Sequence, residues 1–218
     1  GKEFQKLAKE LYVAAKQGST DPDSNPSLRM VVEKARSANM PKDNIQKAID
    51  KAKGATEGEN YESVRYEGYG PGGVAFMVDC LTDNRNRTAS QVRACFTKRG
   101  GNLGTDGSVS YMFERKGIIV IPSDYNEEEV MMCALDAGAI DFITNADTYE
   151  IDTTTDTFLA VKAALEQMGV QEFLTSEITY VANNEISLDE ETKEKVLSLV
   201  EQLEELDDVQ DVYYNLKE

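Results

Sequence analysis

The chain has 218 residues, 40% of them hydrophobic and 29% charged, and a formal net charge of −17. That is ordinary composition for a globular protein, and the length suits one large domain or two to three small ones. Histidine is absent, which removes every Ser–His or Cys–His nucleophile pair and every His-ligated metal site; no G-x-x-x-x-G-K-[ST] run offers a P-loop, and no apolar run approaches the ~20 residues of a membrane span.

No signal-peptide pattern is present, so the cytoplasm is the expected compartment. The chain starts at Gly1 without an initiator Met, which leaves room for a preceding segment. Cys80, Cys95 and Cys133 are odd in number and widely spaced; they read as small buried apolar residues in a reducing compartment, not as metal ligands. The charge is unevenly divided. Residues 1–53 carry a net +4, residues 54–116 are neutral, and residues 117–218 carry −21. A basic working end and an acidic end that repels polyanions would produce this division, and surface solvation also accounts for the acidic part.

Taken in order, the first helix is expected over about Glu3 to Gln17. Phe4, Leu7, Ala8, Leu11 and Ala15 form its apolar stripe. Lys2, Lys6, Lys9 and Lys16 share the opposite arc, and Gly18 is the expected cap. Asn25 caps a second helix with Pro26 at its first position. Leu28, Val31, Val32 and Ala35 point inward there, and Arg29 and Arg36 lie off the stripe. Pro41 opens a third helix, with Lys42 at its start and Ile45, Ala48, Ile49 and Ala52 inward. Three short helices with tight connections make a small helical domain, and residues 55–60 read as a linker.

A second unit begins at Tyr61. Glycines surround Pro71 in a turn, and Val74 to Leu81 is an apolar, β-prone run. The loop Asp83-Asn84-Arg85-Asn86-Arg87 follows. Thr88, with Gln91 three residues on, fits a capping box for the next helix. Gly100-Gly101 closes that helix, and Val109, Tyr111 and Phe113 alternate with Ser108, Ser110 and Met112 as a half-buried strand should. From Gly117 the acidic part runs strand, helix, two strands, helix, strand to Ala182, the split βαβ or ferredoxin-like order. A last helix, with Ser187 and Glu190 as a capping box, and a strand from Val209 to Tyr214 remain. The economical solution is that this tail completes the middle unit and 117–182 is inserted within it. The expected fold is therefore α+β in three domains: a basic helical domain (1–60), a discontinuous α/β domain (61–116 with 183–218), and an acidic inserted domain (117–182). Both sheet domains are expected to be ferredoxin-like, βαββαβ.

The Asp83–Thr88 loop sets two arginines and two asparagines before a helix, with Arg93 one turn on. Guanidinium forks fit phosphate, and helix N–H groups favour anions. Equally, Asp83 could pair with Arg85 or Arg87 while the asparagines make turns. The glycines lack the strand–G-x-G-x-x-G–helix context of a nucleotide fingerprint, and tight connections explain them.

The segments YEGYGPGG (66–73), LTDNRNRT (81–88) and GGNLGTDGSVSYMF (100–113) resemble hallmark segments of the YebC/PmpR family. LAKELYVAAKQG (7–18), NPSLRMVVEKARSANMPKDNI (25–45) and DDVQDVYYN (207–215) do as well. The resemblance implies three domains, one inserted in another. It also implies bacterial transcriptional regulators that bind DNA, or translation factors such as the mitochondrial translational activator of cytochrome c oxidase subunit I. Family members usually begin with a basic segment containing His and Trp, and this chain has neither residue.

The expected partners are DNA, ribosomal RNA or both, with a protein partner possible for the acidic domain and no membrane. The expected contact residues are Lys2, Lys6, Lys9, Lys16, Arg29, Arg36, Lys42, Arg85, Asn86, Arg87 and Arg93. No cofactor, metal or catalytic residue is expected. Acidic pairs such as Asp207/Asp208 could serve an enzyme as ligands or acid/base groups, but they read as a solvated face.

Overall fold

The computed structural model describes residues 1–54 and 60–218. The linker expected over 55–60 falls, apart from Asn60, outside the described residues. Three helices come first: α1 (Lys2–Lys16), α2 (Pro26–Ser37) and α3 (Lys42–Lys53). Their stripes meet in one core of Leu7, Leu11, Leu28, Val32, Ile45 and Ile49. Asn25 caps α2 as its sequence position requires: its Oδ1 accepts the Leu28 N–H at 3.1 Å, and its amide donates to the carbonyls of Ala14 and Ser19. One side chain thus caps one helix and ties it to the end of another, which is why Asn25 is buried. Tyr12, on the flank of the α1 stripe, is buried as well, with the ammonium groups of Lys16 and Lys51 each 5.4 Å from its ring centroid.

Two four-stranded sheets follow. In the first, β1 (Glu62–Tyr69), β2 (Ala75–Thr82), β3 (Asn102–Leu103) and β8 (Val209–Tyr214) lie in the order β3-β1-β2-β8. All three pairings are antiparallel. Helices α4 (Arg85–Lys98) and α7 (Glu190–Glu205) cover one face, where Phe76, Val78, Cys80, Phe96, Leu199 and Leu203 are buried together. The other face carries Ala75, Met77, Val109 and Phe113. β2 is buried along nearly its whole length, as a central strand covered on both sides must be.

The second sheet uses β4 (Phe113–Pro122), β5 (Ala139–Thr144), β6 (Thr148–Thr153) and β7 (Thr175–Ala182), with helices α5 (Glu127–Ala137) and α6 (Phe158–Gln167). The order β5-β6-β4-β7 is that of the split βαβ arrangement. Ile119, Ile121, Ile151, Phe158 and Leu165 fill its core.

The chain forms two compact units. One contains the N-terminal helices with Arg115–Thr179, and the other contains the first sheet with its helices. Within the former, Glu33 on α2 pairs with the buried Lys162 on α6, and the Ser37 hydroxyl donates to the Ser176 carbonyl at 2.8 Å.

Four local features differ from expectation, each for a physical reason. β1 is a strand even though Arg65 and Glu67 interrupt its apolar pattern. Arg65 is satisfied by a bidentate pair with its cross-strand neighbour Asp79, at 2.7 and 3.0 Å. The expected strand from Val109 begins only at Phe113, because Ser110–Met112 is a 3-10 turn. There the Glu67 carboxylate accepts the N–H groups of Gly107 (2.6 Å), Val109 (3.0 Å) and Ser110 (2.6 Å), which removes them from any ladder. Helix α7 is capped by Asp189, whose Oδ1 accepts the Thr192 N–H at 2.9 Å, and not by Ser187. The glycines also do more than turn the chain. A methyl group on Gly68 would strike the carbonyl oxygen of Asn102, and one on Gly101 would lie 2.5 Å from that of Tyr69. Both are glycine because β3 and β1 approach too closely for a side chain.

Candidate nucleic-acid interface

The connection from β2 to α4 is built around Asn84 and Asp208. Asn84 is extended and its Oδ1 accepts the Arg87 N–H at 3.1 Å, so α4 starts at Arg85. This corrects the expected cap at Thr88. Asn84 and Thr88 both suit a cap, but Thr88 is fully buried within the first turns. Its hydroxyl lies 2.7 Å from that of Thr82 and 2.8 Å from Asp208 Oδ2.

Asp208, on the chain leading into β8, is itself buried. Its two oxygens accept from Arg87 Nε (3.0 Å) and from a terminal nitrogen of Arg87 (2.8 Å), and that nitrogen also donates to Asp83 (2.8 Å). The hydrogen bonds to Asp208 and Asp83 hold Arg87 more firmly in its charged form. The Arg87 fork is thus occupied by the protein's own carboxylates, and Asp208 is a structural anion.

The other polar groups of the stretch are disposed differently. Arg85 makes one exposed pair with Glu62 at 3.2 Å, a contact worth at most about 1 kcal/mol in water. Asn86 and Arg93 are exposed and have no hydrogen-bond or ion-pair partner among the described residues. Arg85, Asn86 and Arg93 line a groove of about 630 Å³ together with Tyr66 of β1 and Gly104 and Asp106 beyond β3. Tyr66 packs against the core and also forms part of the groove wall. Burial, aided by the nearby Cys80, raises the affinity of its phenol for the proton, and the charges of Arg85 and Arg93 oppose that. The arrangement offers two guanidinium groups, an open amide and an aromatic side chain around one concavity. Those groups bind phosphate oxygens and base faces. Nothing local in the sequence singles out Tyr66 beyond its alternation with Val64 along β1.

The remaining predicted residues are scattered. Lys2 is exposed and its ammonium donates to the Glu205 carbonyl at 2.6 Å, with the carboxylates of Glu205 and Asp207 beside it, whereas Lys6, Lys9 and Lys16 are half-buried. Lys16 donates to the Tyr12 hydroxyl at 3.1 Å, and Lys6 and Lys9 are also engaged. Arg29 is half-buried, with its Nε lacking a partner. Arg36 pairs with Glu33 at 3.3 Å. Lys42 is exposed and unpartnered among the described residues.

The acidic unit has one carboxyl that holds a proton unusually well. Burial first, then a hydrogen bond and charge from Asp152, then the charge of Asp141, push Glu150 up to about 7, with Lys116 opposing. Asp152 is buried and its Oδ1 has no partner. A raised carboxyl binds its proton in the folded state over a pH range where the unfolded chain has lost it. Its stabilising contribution is therefore complete below about pH 4.3 and disappears as the pH rises to about 7. Thermal unfolding from pH 4 to 8 should show this decline, and Glu150→Gln should flatten it. An equal slope in the variant would assign the decline to other groups.

Among the described residues no cluster of His, Cys, Asp or Glu is suited to a metal ion, and no helix is long and apolar enough to cross a membrane. Fold and groove together define a three-part α+β protein that presents cations and amides at a surface. Comparison with known proteins gives the family. A model described as the TACO1/YebC protein N-terminal domain matches residues 1–55, and one for the TACO1/YebC second and third domain matches residues 61–216. The chain belongs to the TACO1/YebC family. A probable transcriptional regulatory protein of Geobacillus kaustophilus is 54% identical over 221 residues, covering 100% of this chain and 89% of that one. One from Nitratiruptor is 49% identical, covering 100% and 91%. The crystal structure of a conserved hypothetical protein from Aquifex aeolicus is similar with a TM-score of 0.84 at 48% identity, covering 100% of this chain and 90% of that one.

Proposed function

We propose that this protein is a nucleic-acid-binding regulator of gene expression that acts as a DNA-binding transcriptional regulator. The observation that carries the proposal is the groove beside α4, where Arg85, Asn86 and Arg93 are unpartnered among the described residues or held only by an exposed pair. Relatives described as probable transcriptional regulatory proteins support the same reading. Arg85 and Arg93 would contact phosphates, and Lys2, Lys42 and the other cations of the N-terminal helices would add sequence-independent attraction. Arg87 would set the loop's shape through Asp208 instead of meeting the ligand. The chain would work as three domains, 1–60, 61–116 with 183–218, and 117–182, with the acidic third free to meet a protein partner.

A second reading is a ribosome-associated translation factor that binds ribosomal RNA with the same residues. The recessed groove favours it, since RNA is recognised largely by shape and by splayed-out bases and no projecting base-reading helix is needed.

Fluorescence anisotropy across a salt series tests the proposal. Wild-type protein should bind duplex DNA with a steep salt dependence. Arg85→Ala combined with Arg93→Ala should reduce the slope of log K against log salt by about 2, one for each phosphate that no longer meets a guanidinium. The fold should persist, because neither residue belongs to the Asp208 network. An unchanged slope in a folded double variant would remove α4 from the interface. Ribosome cosedimentation that resists DNase but not high salt, without duplex DNA binding, would favour the second reading.

A further inference from the structure

The groove has a size and lining that duplex backbone contacts do not require. Phosphates of a duplex are met on an open surface, whereas a concavity of about 630 Å³ falls in the range that encloses a small organic group. Its α4 wall is formed by Arg85, Asn86, Ala89 and Arg93. Positions 85, 89 and 93 succeed one another at steps of four, and positions 86, 89 and 93 at steps of three and four, so all share one helix face. Ala89 is the small residue in the middle of that face, and its size keeps the space between the two arginines open. The opposite wall is β1, where Tyr66 supplies the aromatic side chain. Tyr66 lines the same groove as Arg85 and Arg93. Asn86 adds a donor–acceptor amide with no partner among the described residues. The negative groups nearby do not cancel this. Glu67 spends its carboxylate on the N–H groups of Gly107, Val109 and Ser110, Glu62 holds Arg85 only by an exposed pair at 3.2 Å that a phosphate can displace, and Asp106 is exposed.

We infer that the groove between β1 and α4 receives one unstacked base of a single-stranded nucleic acid. Tyr66 is the platform for the base, Asn86 reads its edge, and Arg85 and Arg93 hold the phosphates on either side. Each group fits one part of a nucleotide: a π face for the base, an amide for its hydrogen-bonding edge, and guanidinium forks for flanking phosphates. A paired base inside a duplex cannot enter the groove without being extruded first. The inference rests on the nucleic-acid reading above and adds to it a preference for single strands over the duplex.

The test uses the full chain and labelled 12-mers, as single-stranded RNA, single-stranded DNA and the duplex of the same sequence. Wild-type protein should bind a single strand at least about 10-fold more tightly than the duplex, within the range expected for one base–aromatic stack. Tyr66→Leu should remove most of that preference and Tyr66→Phe should retain it. Because Tyr66 also touches the core, Ala89→Leu serves as a second variant. It fills the groove, keeps every charge, and should weaken single-strand binding alone. Equal affinity for single strand and duplex, or an undiminished preference in folded Ala89→Leu, would overturn the inference and leave the broader proposal standing. Failure of all three oligonucleotides to bind would overturn both. The two single-stranded arms report whether the natural ligand carries ribose or deoxyribose.

Discussion

Glu67→Ala should destabilise the first sheet's unit by about 3–5 kcal/mol, more than any surface change in the chain. Glu67 is 5% exposed and accepts three backbone N–H groups from the 107–110 loop. Hydrogen bonds to a charged acceptor contribute about 1.5–3 kcal/mol each, and an abandoned buried donor costs about 1–3 kcal/mol. The full sum is an overestimate, because Gly107 is exposed and its N–H can turn to water. Val109 is fully buried and its N–H cannot. Thermal unfolding should show a melting temperature lower by roughly 6–20 °C. Glu67→Gln keeps one acceptor oxygen and should fall between the two.

The pH dependence has a definite sign. Burial pushes the Glu67 carboxyl up, but the three N–H donors together outweigh it, so Glu67 ionises below the ordinary glutamate range. Its contribution is therefore complete above about pH 4.3 and disappears as the pH falls through the folded-state value. Wild type should lose stability more steeply than Glu67→Gln in that acid range. Parallel acid-unfolding curves would mean that the loop is held by packing and not by this carboxylate.

Asp208→Ala is the second large effect, at about 2–4 kcal/mol. The carboxylate is buried and joins Arg87 and Thr88, and the residue's backbone carbonyl accepts from Leu81. Removing the carboxylate leaves Arg87 Nε without its acceptor and takes from the Thr88 hydroxyl its charged partner, leaving it the Thr82 hydroxyl and the Asn84 carbonyl. Arg87→Ala should destabilise in the same direction by leaving Asp208 buried without its cation. Arg85→Ala, which removes only an exposed pair, should leave the melting temperature nearly unchanged. Differential scanning calorimetry of the three variants separates the cases. A stable Arg87→Ala would show that Asp208 is satisfied without it, and would return Arg87 to the ligand-binding set.

The helices were legible because their apolar residues recur at helical spacing, and Asn25-Pro26 marks a start with its own hydrogen-bonding chemistry. The strands of the second sheet were legible for a related reason: Ile119, Ile121 and Ile151 leave little ambiguity about what is buried. β1 was not, because Arg65 and Glu67 look like surface residues until Asp79 and the 107–110 N–H groups are known to meet them. Those partners lie 14 to 43 positions away, and no local pattern records them. The Asn/Arg loop was recognised as a cluster, but its division of labour was not. Arg85 and Arg87 are equivalent by composition, and only the burial of Asp208, 121 positions away from Arg87, distinguishes a structural arginine from an available one. Tyr66 stayed hidden because an aromatic residue on a strand is most often core, and here it is both core and groove wall.

The pairing of β2 with β8 has a consequence during synthesis. β2 ends at Thr82 and its neighbour begins at Val209, so the ribosome must add 127 more residues before that edge can be closed. At about 5–20 residues per second this takes roughly 6–25 s. Throughout that interval the most apolar strand of the protein has one unpaired edge, and Phe76 lacks its stacked partner Tyr214. The stretch that forms the second sheet is contiguous and can complete itself in the meantime. The nascent chain therefore passes through a state with one finished sheet and one open edge, which is the stage at which a holdase chaperone would have something to grip and at which overexpression would favour aggregation.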